Sequence, residues 1–293
     1  MKELETHKTL VESWGVAWEE LMDRLNRPAL DTPSTKAFWD DPHIASHMMQ
    51  FHLDPSIEAA SKRHATIDAE CAFLSTVLDL KPGKTLVDLG CGPGLYLERW
   101  VKSGANLVGV DLSSVAISTA KARLSAPITW IECDYRHLPK AVVADAMTLI
   151  YYDFTALPIK DQGPLLKALC DHLRPGGQLA LDVMTPHHLT EESLKVNWRE
   201  GGFWSPNPHL EIHQVFNHDD PRVIIDQYTL VDQTGQMDSL RIQNRLLTQV
   251  ELEDLLRSAG FEPVMWLSDL SGTPYHDDAK TLAVIAKKSH SDH

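Results

Sequence analysis

The sequence predicts an α/β fold in which helices cover both faces of a doubly wound, seven-stranded sheet. From residue 84 onward, short apolar segments alternate with helix-compatible segments, which is the pattern of parallel strands joined by crossover helices. A glycine-rich turn over 90–94 connects the first of these strands to a helix. Between 186 and 247 the alternation stops and extended segments follow one another, which predicts an antiparallel insertion after strand five.

Residues 1–80 are predicted to form an N-terminal helical cover. Thr9 and Glu12 have the spacing of a capping box and open an amphipathic run that ends before Pro28. This first helix fits two interpretations: a lid or dimer contact, or a helix docked on its own domain. A helical stretch is predicted from Ile44 towards Leu53, and another helix over 55–80, where a Lys-Pro-Gly sequence ends it.

The core of the fold is predicted to occupy 81–185 and to be completed by 248–293. Its predicted strands are 84–89, 106–110, 128–132, 145–151, 178–183, 261–267 and 281–287. The insertion, 186–247, has three extended segments at 210–216, 223–231 and 239–245, with turn residues between them. We expect this insertion to form an antiparallel β cap over the substrate site.

Composition narrows the kinds of partner. The formal net charge of −14 opposes binding to nucleic acid, which needs a basic surface to displace counterions. The N-terminal residues lack the apolar run of a signal peptide, and no uncharged stretch reaches membrane-spanning length. The four cysteines form no Cys-x-x-Cys pair, which favours free thiols and a cytoplasmic protein. We therefore expect a small-molecule or protein substrate, with no nucleic acid and no membrane.

The glycine-rich turn carries the chemical signal of the sequence. Gly90, Gly92 and Gly94 alternate after Asp88, so backbone can approach a ligand closely where side chains would block it. The carboxylate of Asp88 would repel a pyrophosphate, and Leu95 breaks the G-x-G-x-x-G spacing of dinucleotide sites. A cationic cofactor therefore fits this turn better than an anionic one.

Four motifs in order carry a family resemblance. The Asp-x-Gly-x-Gly-x-Gly sequence that begins at Asp88 is followed by strands ending in Asp111 and Asp134, and by Arg-Pro-Gly-Gly177 before strand five. Together they resemble class I S-adenosylmethionine (SAM)-dependent methyltransferases, which have a Rossmann-like sheet, and in particular the broad methyltransferase 11/25 group. The resemblance implies SAM as the cofactor.

The resemblance also implies which residues bind SAM. The methionyl amine would be attracted by Asp88, the ribose hydroxyls by Asp111 and the adenine amino group by Asp134, through charge-assisted hydrogen bonds of about 1.5–3 kcal/mol each. The implied cofactor-binding residues are Asp88, Gly90, Cys91, Gly92, Gly94, Asp111, Leu112, Cys133, Asp134, Tyr135 and Tyr151.

Catalytic candidates lie after strands four and five, where ligands bind in open α/β sheets. Methyl transfer is an in-line displacement that depends on alignment and exclusion of water, and a base is needed only for a protonated acceptor. Tyr152 and Asp153 are candidates for an orienting group or base, with a purely structural role as the alternative. His188 can deprotonate an acceptor near neutral pH, or it can simply be solvated.

Aromatic and polar residues outside the motifs are candidates for binding the substrate, since ligand pockets combine aromatic walls with a few polar groups. The alternatives are core packing for the aromatic residues and surface ion pairs for the arginines. No metal site is predicted, because no carboxylate or cysteine completes the histidines of the insertion. The substrate candidates are Trp39, Arg63, Trp204, His209, Tyr228, Arg245 and Tyr275.

The sequence therefore predicts an enzyme that methylates a small molecule at nitrogen, oxygen, sulfur or carbon. The alternatives are a protein or RNA methyltransferase, a SAM-binding module without catalysis, and a nicotinamide oxidoreductase, which the glycine spacing opposes. A homodimer is compatible with the sequence and is not required by it.

Overall fold

A computed structural model describes residues 17–36 and 41–289, which form two compact units. One unit combines the described residues up to Ile44 with Leu189–Gln243. The other combines Ala45–His188 with the described residues from Asn244 onward. The four-part division made from the sequence, and the placement of the insertion over a substrate site, stay predictions.

The strands of the described residues form a seven-stranded and a four-stranded sheet. They are β1 (Thr85–Leu89), β2 (Asn106–Asp111), β3 (Ile128–Glu132), β4 (Ala144–Leu149), β5 (Leu173–Met184), β6 (Ser193–Arg199), β7 (His209–Asp219), β8 (Arg222–Asp232), β9 (Met237–Arg245), β10 (Phe261–Leu267) and β11 (Thr281–Lys288).

The larger sheet has the order β3-β2-β1-β4-β5-β11-β10. Its first five strands are parallel, whereas β11 runs antiparallel to both β5 and β10. Val87, Leu149, Leu181 and Val284 lie in four neighbouring strands and are fully buried, as expected where helices cover both faces. The predicted fold class is confirmed.

The helices of the described residues connect and cover these strands. They are α1 (Trp18–Arg24), α2 (Pro42–Leu53), α3 (His64–Val77), α4 (Leu95–Trp100), α5 (Ser114–Arg123), α6 (Asp153–Ala156), α7 (Ile159–His172) and α8 (Gln249–Ser258). A capping box starts α8, since the side chains of Thr248 and Glu251 each accept a hydrogen bond from the other's backbone N–H. None of the helices in the described ranges is long and apolar enough to cross a bilayer.

The predicted helix over 55–80 is wrong at its start, because α3 begins only at His64. The carboxylate of Asp54 accepts hydrogen bonds from the backbone N–H and the hydroxyl of Ser56 and forms a local turn instead. Of the first predicted helix, residues 9–16 lie outside the described residues, and α1 covers the rest.

The smaller sheet has the order β6-β7-β8-β9 and is antiparallel where its pairing is resolved. Its strand β6 was not predicted. Helix α1 packs on this sheet, with Leu21 beside Ile212 and Val231. The Gln227 side chain also donates a 2.7 Å hydrogen bond to the Arg24 carbonyl. The described part of the first predicted helix is therefore docked within its own unit.

Candidate functional site

The glycine turn leaves β1 in a left-handed conformation. Gly90, Gly92 and Gly94 have φ values of 67°, 52° and 79°, which glycine adopts without steric cost. The Cys91 N–H donates to the Val110 carbonyl at 3.0 Å, so the turn is fastened to the end of β2. The backbone conformation is therefore by itself a sufficient reason for glycine at all three positions.

The space around two of these glycines is already occupied. A Cβ atom at Gly90 would clash with Oδ2 of Asp153, and one at Gly94 would lie 2.7 Å from the Trp130 ring. The absence of a side chain at Gly94 is thus explained by packing against β3. The absence at Gly90 brings the Asp153 carboxylate onto the turn.

Asp88, at the end of β1, is buried with one oxygen unsatisfied. Its Oδ1 accepts a 2.7 Å hydrogen bond from the Thr148 hydroxyl. Its Oδ2 is buried with no hydrogen-bond partner among the described residues. Burial, with a smaller contribution from Asp111, raises the pKa of Asp88 to about 7. This orphaned oxygen marks a place where a bound cation would be stabilised.

Asp111, at the end of β2, accepts hydrogen bonds from the glycine turn and from the loop that follows β2. Its Oδ2 accepts from the Gly92 N–H and its Oδ1 from the Ser113 N–H, each at 2.8 Å. Burial raises the pKa of Asp111 more than these two bonds lower it. Each carboxylate oxygen has a further lone pair, so Asp111 can still accept from two hydroxyl groups of a ligand.

Asp153 begins α6 and supplies the third carboxylate at the turn. It makes no hydrogen bond or ion pair with the part of the chain that the structure describes. Burial, followed by the charges of Asp111, Asp182 and Asp88, raises its pKa well above the usual carboxyl value. Like charges held together disfavour ionisation of each carboxyl group. The cluster thus provides acceptors for a positively charged ligand.

The residues after β3 surround the same turn less completely. Asp134 accepts hydrogen bonds from the Arg136 backbone and guanidinium, which outweigh burial and lower its pKa. The Tyr135 ring lies 3.8 Å from the Cβ position of Gly90, and the Cys133 N–H donates to the Asp111 carbonyl. Leu112 is 46% exposed. Arg136 therefore occupies acceptor sites on Asp134 that a hydrogen bond from the adenine amino group would use. Binding of adenine by Asp134 stays a prediction.

A family model described as a methyltransferase domain matches residues 86–177. A trans-aconitate 2-methyltransferase of Azoarcus sp. (strain BH72) is 35% identical over 130 residues, which are 43% of this chain and 48% of that protein. This match therefore spans about half the length of the relative. A cypemycin N-terminal methyltransferase of Streptomyces sp is 23% identical over 242 residues, 80% of this chain and 96% of the relative.

Residues 86–177 are a class I SAM-dependent methyltransferase domain.

Solved structures share the fold at low sequence identity. A SAM-dependent methyltransferase from Clostridium acetobutylicum ATCC 824 aligns with a TM-score of 0.62 at 14% identity, over 83% of this chain and 97% of that one. The sugar N-methyltransferase KedS8 from Streptoalloteichus sp ATCC 53650 aligns with a TM-score of 0.55 at 19% identity, over 89% of this chain and 99% of that one. These likenesses support the architecture of the methyltransferase domain.

SAM fits the residues at the turn of the methyltransferase domain. The orphaned Asp88 oxygen and the neighbouring carboxylates suit the ammonium and sulfonium groups. Asp111 keeps acceptor capacity for a diol. No group of three His, Cys, Asp or Glu that could hold a metal ion occurs within 17–36 and 41–289.

A buried ion-pair network lies behind the loop that follows β4. Lys62 Nζ lies 2.7 Å from Glu70 and 2.6 Å from Asp182, and all three side chains are almost fully buried. The other Asp182 oxygen accepts from the backbone N–H groups of Tyr151 and Tyr152, at 2.7 and 3.1 Å. Asp182 thereby holds the residues that precede Asp153.

The two tyrosines adopt an uncommon backbone conformation. Tyr151 and Tyr152 have φ values of 70° and 67°, a region that costs a non-glycine residue about 1–3 kcal/mol. Their rings are stacked with centroids 5.6 Å apart, and the Tyr152 hydroxyl is 2.6 Å from that of Thr281. The hydrogen bonds to Asp182 stabilise this conformation, which turns the chain so that Asp153 faces Gly90.

His188 lies beside this loop. Its ring makes an edge contact with Tyr152 at a centroid distance of 5.6 Å. Its Nε2 is buried without a hydrogen-bond partner among the residues the structure describes. Burial and the charge of Lys280 lower its pKa, so the imidazole is neutral near pH 7. The structure thus brings all three catalytic candidates into one unit with the glycine turn.

Substrate candidates in the smaller sheet are packed against other side chains. Trp204 contacts Phe203 and Tyr228, with ring centroids 4.6 and 4.7 Å apart. His209 is buried, and its Nδ1 lies 2.7 Å from the Asn207 carbonyl. Their packing resembles a core, and their substrate roles stay predictions.

The other substrate candidates have separate surroundings. Arg63 lies 3.6 Å from Glu58 in an exposed ion pair, and Arg245 donates a 3.0 Å hydrogen bond to Gln162. Tyr275 packs against the core of the larger sheet. Trp39 lies outside the described residues. The substrate roles of all four residues stay predictions.

Several residues of the site were missed from the sequence. Lys62, Glu70 and Asp182 look like ordinary charged residues until their buried pairing is seen. A usable signal existed for Asp182, since it interrupts an otherwise apolar strand. His52, whose ring lies 3.4 Å from the Cβ position of Gly92, carries no comparable signal because it lies in a helix far from the motifs.

Proposed function

We propose that this protein is an enzyme that transfers a methyl group from SAM to a small-molecule acceptor. The observation that carries the proposal is the buried, unpartnered Asp88 oxygen beside a left-handed glycine turn. A buried carboxylate without a partner is costly, and a cationic ligand removes that cost. The match to a methyltransferase domain supports SAM as that ligand.

The residues around the turn would hold the donor. Asp88 would bind the methionyl amine and Asp111 the ribose hydroxyls, while Tyr135 and Leu112 would flank the adenine. When bound, SAM supplies a methyl group on a positively charged sulfur. The protein's own contribution is to align the acceptor with that methyl group and to exclude water.

Asp153 is the base that we propose for a protonated acceptor. Its raised pKa, caused by burial and by neighbouring carboxylates, makes it a better proton acceptor than an ordinary carboxylate. Tyr152 and His188 would orient the acceptor beside it. The neutral His188 imidazole can take up a proton in the same way.

The acceptor class is part of the proposal. The names of two relatives specify different acceptors, trans-aconitate in one and the N-terminus of cypemycin in the other. The methylated atom therefore stays open among nitrogen, oxygen, sulfur and carbon. The net charge of −14 supports an acceptor that is not nucleic acid. The free cysteines among the described residues support a cytoplasmic location. The homodimer stays a prediction that light scattering tests.

Two measurements test the proposal in sequence. Titration calorimetry with SAM should show binding by the wild-type protein, whereas NAD should give no heat. Methyl transfer from labelled SAM into a cell lysate fractionated by size should then label the small-molecule fraction. Label in the protein or RNA fraction would show that the acceptor is a protein or RNA and not a small molecule. Binding without any transfer would indicate a SAM-binding module, and binding of NAD alone would overturn the proposal.

A further inference from the structure

His52 approaches the glycine turn from outside the family motifs. It lies in the last turn of α2, within the same compact unit as the turn. A Cβ atom at Gly92 would lie 3.4 Å from Cε1 and 3.6 Å from Nε2 of the His52 ring. The imidazole thus rests against the middle glycine, on the surface where the methionyl part of SAM is proposed to bind.

The imidazole has an unmet hydrogen-bonding group. Its Nδ1 is buried and has no partner in the described part of the chain. The His64 ring lies 3.2 Å from the backbone carbonyl of His52, so this end of the helix is fixed by a separate contact. Leaving a buried polar atom unsatisfied is unfavourable. The structure therefore shows a buried ring nitrogen for which the described chain supplies no partner.

The charge of the ring follows from its surroundings. Burial lowers the pKa of His52 to about 4, so the ring is neutral at physiological pH and has one N–H donor and one acceptor nitrogen. The side chains of Asp88, Asp111 and Asp153 around the turn are all acceptors when ionised. They suit the ammonium and sulfonium of SAM, but they repel its carboxylate. None of these three aspartates offers a neutral hydrogen-bond donor to the carboxylate of SAM.

We propose that His52 is a cofactor-binding residue that donates a hydrogen bond from Nδ1 to the methionyl carboxylate of SAM. This inference rests on the proposed function, since it assigns a residue to the same cofactor. It gives α2 a direct role in holding the amino-acid end of the donor. It also separates the two charged groups of that end, with the amine directed to Asp88 and the carboxylate to His52.

Calorimetry with three ligands tests the contact without any knowledge of the acceptor. SAM has both charged groups, decarboxylated SAM lacks the carboxylate, and 5′-methylthioadenosine lacks the whole amino-acid end. His52→Phe keeps an aromatic ring and removes the donor. We expect it to weaken SAM about tenfold, which corresponds to about 1.4 kcal/mol, and to leave the other two ligands within about twofold. His52→Asn, which restores an N–H donor, should recover part of the SAM affinity.

Controls separate this inference from the proposed function. His47→Phe, on the same helix, should leave SAM affinity at the wild-type value, and thermal melting should show both variants folded. An equal loss for decarboxylated SAM would overturn the carboxylate contact. An equal loss for 5′-methylthioadenosine, or no loss for SAM, would overturn any contact with the amino-acid end. A wild-type protein that fails to bind SAM would instead overturn the proposed function.

Discussion

The glycine turn and the aromatic cluster of the smaller sheet, which consists of Phe203, Trp204, His213 and Tyr228, differ in whether the carboxyl groups beside them have partners. At the turn, Asp88 has a buried oxygen without a partner, and Asp153 has no described hydrogen bond. In the smaller sheet, His213 stacks on Tyr228 with centroids 4.3 Å apart and lies 2.8 Å from Asp226. Both regions contain residue types common in binding sites. The smaller sheet also has buried polar atoms without a partner in the described chain, at Asn217, His218 and Thr229. The buried carboxyl group of Asp88, rather than an unsatisfied polar atom alone, therefore marks the glycine turn as a site for a cation.

The largest expected effect is on turnover at the turn. Asp153→Asn removes the proposed base while keeping the side chain's shape, and turnover should fall about 10²- to 10⁴-fold if the acceptor must lose a proton. SAM affinity should change far less, because the loss concerns the reacting state. Single-turnover transfer from labelled SAM to the labelled lysate fraction measures the rate. Full activity would remove Asp153 from the mechanism.

The matching change in the smaller sheet should act on stability. Trp204→Ala should lower the free energy of unfolding by about 3–5 kcal/mol, because it empties a packed aromatic site. SAM affinity should be unaffected. Trp198→Ala is the control, since Trp198 in the same sheet is 49% exposed and should cost about 0.5 kcal/mol or less. Denaturant unfolding and calorimetry measure both quantities. A loss of SAM affinity in the Trp204 variant would contradict the comparison.

A smaller effect is expected from the strand-end carboxylate of β2. Asp111→Asn keeps one acceptor oxygen and loses the charge, so SAM affinity should fall about 10- to 100-fold. The matched control is Asp145→Asn. Asp145 lies near the start of β4, at the opposite end of the same sheet, and forms an ion pair with Lys84 at 3.3 Å. Calorimetry should show unchanged SAM affinity for that control. Equal losses of SAM affinity in the two variants would show that the Asp111 substitution acts by disturbing the sheet and not by removing a contact with SAM.

The smallest expected effect is a dependence on pH. Because the folded protein raises the pKa of Asp88 to about 7, the stabilisation that Asp88 contributes is complete below the ordinary carboxyl pKa and is lost as pH rises through about 7. Ligand-free stability should therefore fall over this window. SAM affinity should rise about tenfold from about pH 6 to about pH 8, as Asp88 ionises to receive the amine.

Asp88→Asn supplies the control for that dependence. The variant should bind SAM more weakly, and its affinity should vary less with pH over the same window. The raised pKa values of Asp111 and Asp153 leave some dependence in place. A pH profile that is identical in the variant and the wild type would show that Asp88 does not meet the cation.

The larger sheet was predictable from the sequence because its strands are apolar on both faces and are separated by turns. The site was predictable only where a motif marked it, as at Asp88 and Asp111. The Lys62 network and His52 depend on segments distant in sequence meeting in the fold, and local patterns do not specify such meetings. Strand β6 was missed although Leu194 and Val196 alternate with polar residues, and their side chains are more than half exposed.

The order of the strands along the chain has a consequence for synthesis on the ribosome. Strand β5 pairs with β4 on one side and with β11 on the other, so Leu181 lies opposite Val284. About a hundred residues, including all of the smaller sheet, emerge between them. Until β11 arrives, the nascent protein exposes an apolar edge with free backbone groups. Truncated or stalled chains lacking the last strands should therefore aggregate and require chaperones.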